Sequence, residues 1–155
     1  MGVSDAVGPV ERAVVTAPAV DAEAPMAFLT RKWVRPEDLN AHGTLFGGSL
    51  LGWIDDEAVV VATLQLGVTH VVTRYMSEIS FVSSARLGDI VEIGLVTTGF
   101  GRTSLSMRAE VRNINTGRSV LTIDRLVFVS LDEAGALLPH GQTTVTTTRE
   151  RLDRR

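Results

Sequence analysis

Asn40-Ala41-His42-Gly43-Thr44-Leu45-Phe46-Gly47-Gly48-Ser49-Leu50-Leu51-Gly52-Trp53-Ile54-Asp55 is the stretch whose residue types and spacing suit chemistry. Gly47 and Gly48 open what reads as an apolar helix. Adjacent glycines at a helix start let a ligand approach the backbone, and the first N–H groups of a helix have no acceptor inside it. Such groups can hold a developing oxyanion. Asp55 follows about two turns later, roughly 12 Å along the axis, among Leu51, Ile54, Ala58, Val59 and Ala62. An acid in that company is a candidate general base. Asn40 and His42 each offer a hydrogen bond from the loop that enters the helix, and the residues alone do not rank them.

The elements that must position these residues are one long helix and several strands. Met26 to Val34 reads as a first strand, closed by Arg35-Pro36-Glu37-Asp38, where Pro36 and the acids favour a turn. From Gly47 to about Gly67 the apolar residues keep a helical period, and Gly67 is the expected C-cap. Val59-Val60-Val61 is β-branched and resists helix formation. A helix buried on most sides by a curved sheet would accommodate that run. Beyond Gly67 the period becomes two: Val71 to Phe81, Ile90 to Thr98, Thr103 to Ile114 and Ser119 to Leu131 read as strands. Gly88-Asp89, Gly99-Phe100-Gly101 and Asn115-Thr116-Gly117 separate them as turns. Four successive strands with short connections predict an antiparallel meander, and one helix covers one face of it. The expected fold class is α+β, a curved sheet wrapped around one helix.

Composition narrows the function classes. At 155 residues, with 45% hydrophobic and 21% charged side chains, the chain suits one globular domain. A net charge of −3 and scattered arginines speak against a nucleic-acid surface. The chain has 0 cysteines, which excludes disulfides, thiolate nucleophiles and thiolate metal sites. Its histidines, His42, His70 and His140, lack metal-ligand spacing, so no metal is expected. Residues 1–25 lack a basic start and a continuous apolar block, which argues against a secretory signal. Asp55, Asp56 and Glu57 interrupt the best apolar run, which argues against a membrane span. A cytoplasmic, soluble protein is expected, with a flexible extension over 1–25, a folded domain over 26–132 and a polar tail over 133–155.

The order of strand, glycine loop, central helix and meander resembles the hotdog fold. Asn40, His42-Gly43-Thr44-Leu45-Phe46-Gly47-Gly48, Leu51 and Ile54-Asp55 resemble the signature of acyl-CoA thioesterases of the YciA and brain acyl-CoA hydrolase type. Phe81 through Gly88-Asp89 and Gly101-Arg102-Thr103-Ser104 resemble two later motifs of that family in the right order. The resemblance covers roughly residues 26 to 132. It implies hydrolysis of an acyl-CoA to free CoA and acid, without a cofactor, in a dimer whose sites lie between subunits. Trimers of dimers are implied by the relatives. Under it Asp55 is the general base, the amides near Gly47 and Gly48 face the oxyanion, and Asn40 or His42 orients water or the thioester oxygen. Arg102, with Thr103 and Ser104 beside it, is the first candidate for the CoA phosphates, and Arg86 the second.

Departures and rivals accompany the resemblance. The strand after the helix runs Thr73-Arg74-Tyr75-Met76-Ser77-Glu78, bulkier than the family pattern of a threonine followed by small residues and an acid. Ser84 stands where a proline is common. A hotdog dehydratase would pair His42 with Asp56, fourteen positions apart, yet the proline-glycine steps around such a histidine are missing. An acyl-CoA-binding sensor is a third reading, and it lacks a DNA-binding segment. Ser49 has no strand-elbow context, so no Ser-His-Asp triad is expected. Trp53 is expected to pack a core or a subunit interface.

Overall fold

The computed structural model describes residues 24–148 and 150–152. Expectations for residues 1–23 lie outside them. The elements are β1 (Ala27–Trp33), a 3-10 turn (Pro36–Asp38), α1 (Gly47–Leu66), β2 (Val71–Met76), β3 (Ile79–Phe81), β4 (Ile90–Phe100), β5 (Ser104–Asn113) and β6 (Arg118–Ser130). Together the strands make one antiparallel sheet in the order β1-β4-β5-β6-β2, with β3 also paired to β6. One long helix on a six-stranded antiparallel sheet is the α+β, hotdog architecture expected from the sequence.

Two expectations about the strands need correction. The run Val71 to Phe81 is two strands, interrupted at Ser77-Glu78, where the Ser77 hydroxyl accepts a hydrogen bond from Arg125 N at 3.0 Å. The meander holds for β4, β5 and β6 alone. β1 joins β4, whereas β2 crosses the sheet to pair with the far side of β6. A helix of 20 residues spans the sheet and returns the chain to its opposite edge, so β2 cannot lie beside β4.

The helix seats Leu50, Ile54, Ala58, Ala62 and Leu66 on the sheet, all at or below 1% exposure. Their four-residue spacing keeps one stripe inward, and burying each large apolar side chain there stabilises the fold by roughly 1.5–3 kcal/mol. Ala58 and Ala62 allow close approach. Because the sheet covers one face only, Val60 stays 53% exposed, so the β-branched run is not enclosed as expected. Gly67 ends the helix with φ +66 and donates its N–H to Thr63 O at 2.9 Å. A left-handed C-cap is where glycine carries no Cβ penalty.

The segment beyond β6 folds back on the helix end. Gln65, only 7% exposed, donates through Nε2 to Thr146 O at 2.8 Å and accepts Thr146 N at 2.9 Å through Oε1. Arg151 donates to Gln65 O and Thr144 O at 2.5 and 2.6 Å. No helix among the described residues is long and apolar enough to cross a membrane.

Candidate active site

The helix start is open to a ligand. Phe46, the N-cap, has extended backbone and no side-chain cap, and the first helical bond runs from Leu50 N to Phe46 O at 3.1 Å. The amides of Gly47, Gly48 and Ser49 precede that bond, so no helical carbonyl takes them. No acid in the first turn neutralises this positive end of the helix. Two exposed phenyl rings flank it. Phe81 lies 3.2 Å from where a Cβ would stand on Gly47, and Phe46 lies 2.6 Å from the same point on Gly48. The glycines make room for these rings against the backbone, a packing reason that the sequence alone does not disclose.

The loop before the helix is tied together by Asn40. Its Oδ1 accepts His42 N at 2.9 Å and Thr44 N at 3.2 Å, and its Nδ2 donates to Thr44 Oγ1 at 3.0 Å. Asn40 N and Thr44 O close the same turn at 2.8 Å, with Gly43 at φ +76. His42 contributes its main chain to this turn and is exposed. Arg86 belongs here too, since it forms a β-bridge with Thr44, and Leu45 N donates to Ala85 O at 2.8 Å. Asp89 in turn accepts Arg86 N at 2.9 Å and Asn113 Nδ2 at 2.8 Å, which holds the Gly88-Asp89 turn.

Asp55 sits elsewhere on the same helix, on the flank that faces β2. Its Oδ1 accepts a hydrogen bond from Thr73 Oγ1 at 2.6 Å. The register of β2 on β6 shifts between Thr73 and Tyr75, a bulge that bends this edge strand just past the contact. Sequence reasoning placed Thr73 on the strand without a role. The signal for it was its place at the threonine of the family pattern for the strand after the helix. Asp56, next to Asp55, is exposed, and no hydrogen bond among the described residues joins it to His42.

The two cationic candidates are far apart in the fold. Arg86 adjoins the helix start through Thr44. Arg102 belongs to the β4–β5 hairpin near the helix end, where Arg102 O accepts His140 N at 3.3 Å. Thr103 O accepts Ser130 N at 2.9 Å, and Ser104 is buried with its carbonyl on His140 Nε2 at 3.1 Å. Burial lowers the His140 pKa from the ordinary 6.5, against the raising effect of its backbone bonds to Ser104 and Gly101. The candidate residues thus fall into two clusters. The first holds Asn40, His42, Gly47, Gly48 and Arg86, and the second holds Asp55 and Thr73, on the sheet edge that leads to Arg102. Gly48 and Asp55 are seven residues apart on a straight helix, roughly 10 Å along its axis. Among the described residues no three His, Cys, Asp or Glu side chains converge as a metal site would.

A family model described as the thioesterase superfamily matches residues 42–120. The Bacillus subtilis protein named uncharacterized acyl-CoA thioester hydrolase YkhA is 33% identical over 109 residues, which cover 68% of this chain and 63% of that protein. Acetyl-coenzyme A thioesterase of Rattus norvegicus is 34% identical over 89 residues, 57% of this chain and 16% of that protein. The match thus spans less than two thirds of both relatives. A crystal structure described as an apo, hexameric acyl-CoA thioesterase superposes with a TM-score of 0.65 at 34% identity, covering 79% of this chain and 81% of that one.

Proposed function

The chain belongs to the thioesterase superfamily, and from that premise we propose that it hydrolyses acyl-CoA thioesters to free CoA and a carboxylic acid, with no cofactor. The observation that carries the reading is the Thr73–Asp55 hydrogen bond of 2.6 Å, which fixes one carboxylate oxygen beside the edge strand β2. Substrate and assembly follow the relatives, which are named for acyl-CoA and, in one structure, described as hexameric.

Asp55 takes a proton from water, and the hydroxide oxygen attacks the thioester carbonyl carbon. The carbonyl oxygen becomes the oxyanion of a tetrahedral intermediate, held by amides near Gly47 and Gly48 at the uncapped helix start. Collapse breaks the carbon–sulfur bond, and the CoA thiolate recovers the proton from Asp55. Asn40 Nδ2 has a second N–H beyond the one spent on Thr44, and that donor orients the carbonyl or the water. His42 is the alternative donor. The CoA phosphates meet Arg102, flanked by Thr103 and Ser104, with Arg86 as the second cation.

With the amides and the acid roughly 10 Å apart along the helix of one chain, the working site joins the helix start of one subunit to Asp55 of another. Pairing of the exposed β2 edges in a dimer supplies that geometry. Trimers of such dimers are the expected assembly.

The test is release of CoA thiol from acyl-CoAs of graded length by wild type and Asp55→Asn. A general base requires a loss of roughly two to four orders of magnitude with acyl-CoA binding kept. Equal rates in the two proteins would remove Asp55 from the mechanism.

A further inference from the structure

We propose that Asn113, buried at the end of β5, is a positioning residue for the Asn40 loop and acts on it through Asp89, Arg86 and Ala85. The inference rests on the thioesterase reading and deepens it with a residue that touches none of the reacting groups. The inward positions of β5 run Leu105, Met107, Ala109, Val111 and Asn113, each at or below 1% exposure. Four of them fill the core, and the fifth breaks the pattern with an amide. Burying an amide costs stability unless it is hydrogen-bonded, so its partners carry the reason for its place.

Both ends of that amide are engaged. Nδ2 donates to Asp89 Oδ2 at 2.8 Å, and Oδ1 accepts Asn115 N at 2.9 Å in the turn between β5 and β6. Asp89 Oδ2 also accepts Arg86 N at 2.9 Å, so the carboxylate is fastened between the core and the main chain of Arg86. Arg86 forms the β-bridge with Thr44, and Ala85 O, one residue earlier, accepts Leu45 N at 2.8 Å. Thr44 in turn bonds both ends of the Asn40 amide, and Leu45 leads into the uncapped helix start. Two further bonds of the turn, Val34 N to Asp89 O at 2.9 Å and Gly88 N to Val34 O at 3.0 Å, fasten it to the end of β1 and do not reach Arg86. Without the Asn113 donor the Asp89 side chain is free to leave Arg86 N for another rotamer. The strip that carries Thr44 and Leu45 then loses a tie to the core, and Asn40 moves with it. A displacement of about 1 Å at a group that orients the reactants costs on the order of a hundredfold in rate.

The experiment combines hydrogen-exchange mass spectrometry with CoA release from one acyl-CoA, both on the full chain. Asn113→Leu keeps the forked shape of the side chain and removes its hydrogen bonds. Asp89→Ala breaks the same link from its half-buried end, and carries the test where Asn113→Leu does not fold. Val111→Ala, on the same inward row, loosens the core without touching the link. A hydrogen bond to a charged group is strong enough that its loss should raise local opening about tenfold or more. Peptides over 40–46 and 85–89 should therefore exchange faster by that factor in Asn113→Leu and Asp89→Ala, while 54–66 keeps its wild-type rate. In both variants kcat should fall about ten- to a hundredfold. In an Asn40→Asp background either change should cost less than about threefold, because the donor that it positions is already gone. Val111→Ala should combine with Asn40→Asp as an independent effect. Losses from Asn113→Leu or Asp89→Ala that also multiply independently with Asn40→Asp overturn the assignment, as does wild-type exchange over 40–46. If wild type releases no CoA, the hydrolase reading falls and exchange alone decides: loosening confined to 40–46 and 85–89 upholds the link, and unchanged exchange overturns it too.

Discussion

Thr73 and Asp55, eighteen positions apart, meet across the gap between β2 and α1, where the threonine hydroxyl donates to Asp55 Oδ1 at 2.6 Å. The acid projects from the middle of the helix and the threonine from the edge strand that the helix leads to. Their contact holds the carboxylate at the sheet edge.

Thr73→Val keeps the shape of the side chain and removes the donor. Hydrogen bonds to charged groups contribute roughly 1.5–3 kcal/mol, so kcat should fall about ten- to a hundredfold, with Thr73→Ser recovering most of it. Steady-state kinetics with one acyl-CoA decides the point. An unaffected kcat in Thr73→Val would reduce the contact to packing.

Asn40→Asp retains the oxygens that accept His42 N and Thr44 N and loses the amide donor. The melting temperature should stay within a few degrees of wild type while kcat/KM drops, whereas Asn40→Ala should lower both. Thermal melts beside kinetics separate a substrate contact from a loop brace. If Asn40→Asp is fully active, the donor role passes to His42.

Mixing two inactive variants tests the shared site. Co-expressed Asp55→Asn and Asn40→Asp subunits, pairing at random in a dimer, leave about a quarter of the sites with both residues intact. Recovery near that fraction, measured as CoA release by the purified mixture, supports a site built from two subunits. No recovery above either parent would place the whole site in one subunit.

Gly67→Ala meets two obstacles, a left-handed backbone at φ +66 and a Cβ that would stand 2.7 Å from Arg151 O. Left-handed strain in a residue with a side chain costs about 1–3 kcal/mol, and displacement of the C-terminal segment adds to it. Chemical denaturation should show the loss. A midpoint equal to wild type would mean that the segment does not hold this position in solution.

His140 links the C-terminal segment to β5, donating through Nε2 to Ser104 O at 3.1 Å and accepting Gln142 N at Nδ1 at 3.0 Å. That pairing requires the neutral ring. Burial lowers the folded-state pKa below the ordinary 6.5, so in the window between them the unfolded chain binds more protons. Stability is therefore complete above about pH 6.5 and declines as pH falls toward the folded pKa. Melting curves of wild type should show this decline, and His140→Gln should flatten it. The same slope in both proteins would assign the decline to other groups.

Local physics made much of this protein legible from its sequence. Helical periodicity from Gly47, the Gly67 cap and period-two strands depend on neighbours a few residues away, and the structure has them at nearly the expected bounds. The acid, the paired glycines and the family motifs sit on those elements and could be named in advance. Tertiary structure decided what depends on distant partners. It carried β2 to the far edge of β6, divided one strand at Ser77-Glu78, pressed the Phe46 and Phe81 rings onto the glycines and joined Thr73 to Asp55. It also set Arg86 beside the Asn40 loop and Arg102 in the β4–β5 hairpin. Such juxtapositions arise from closing long loops around a shared core, where the energy lies between residues tens of positions apart and no local pattern records it.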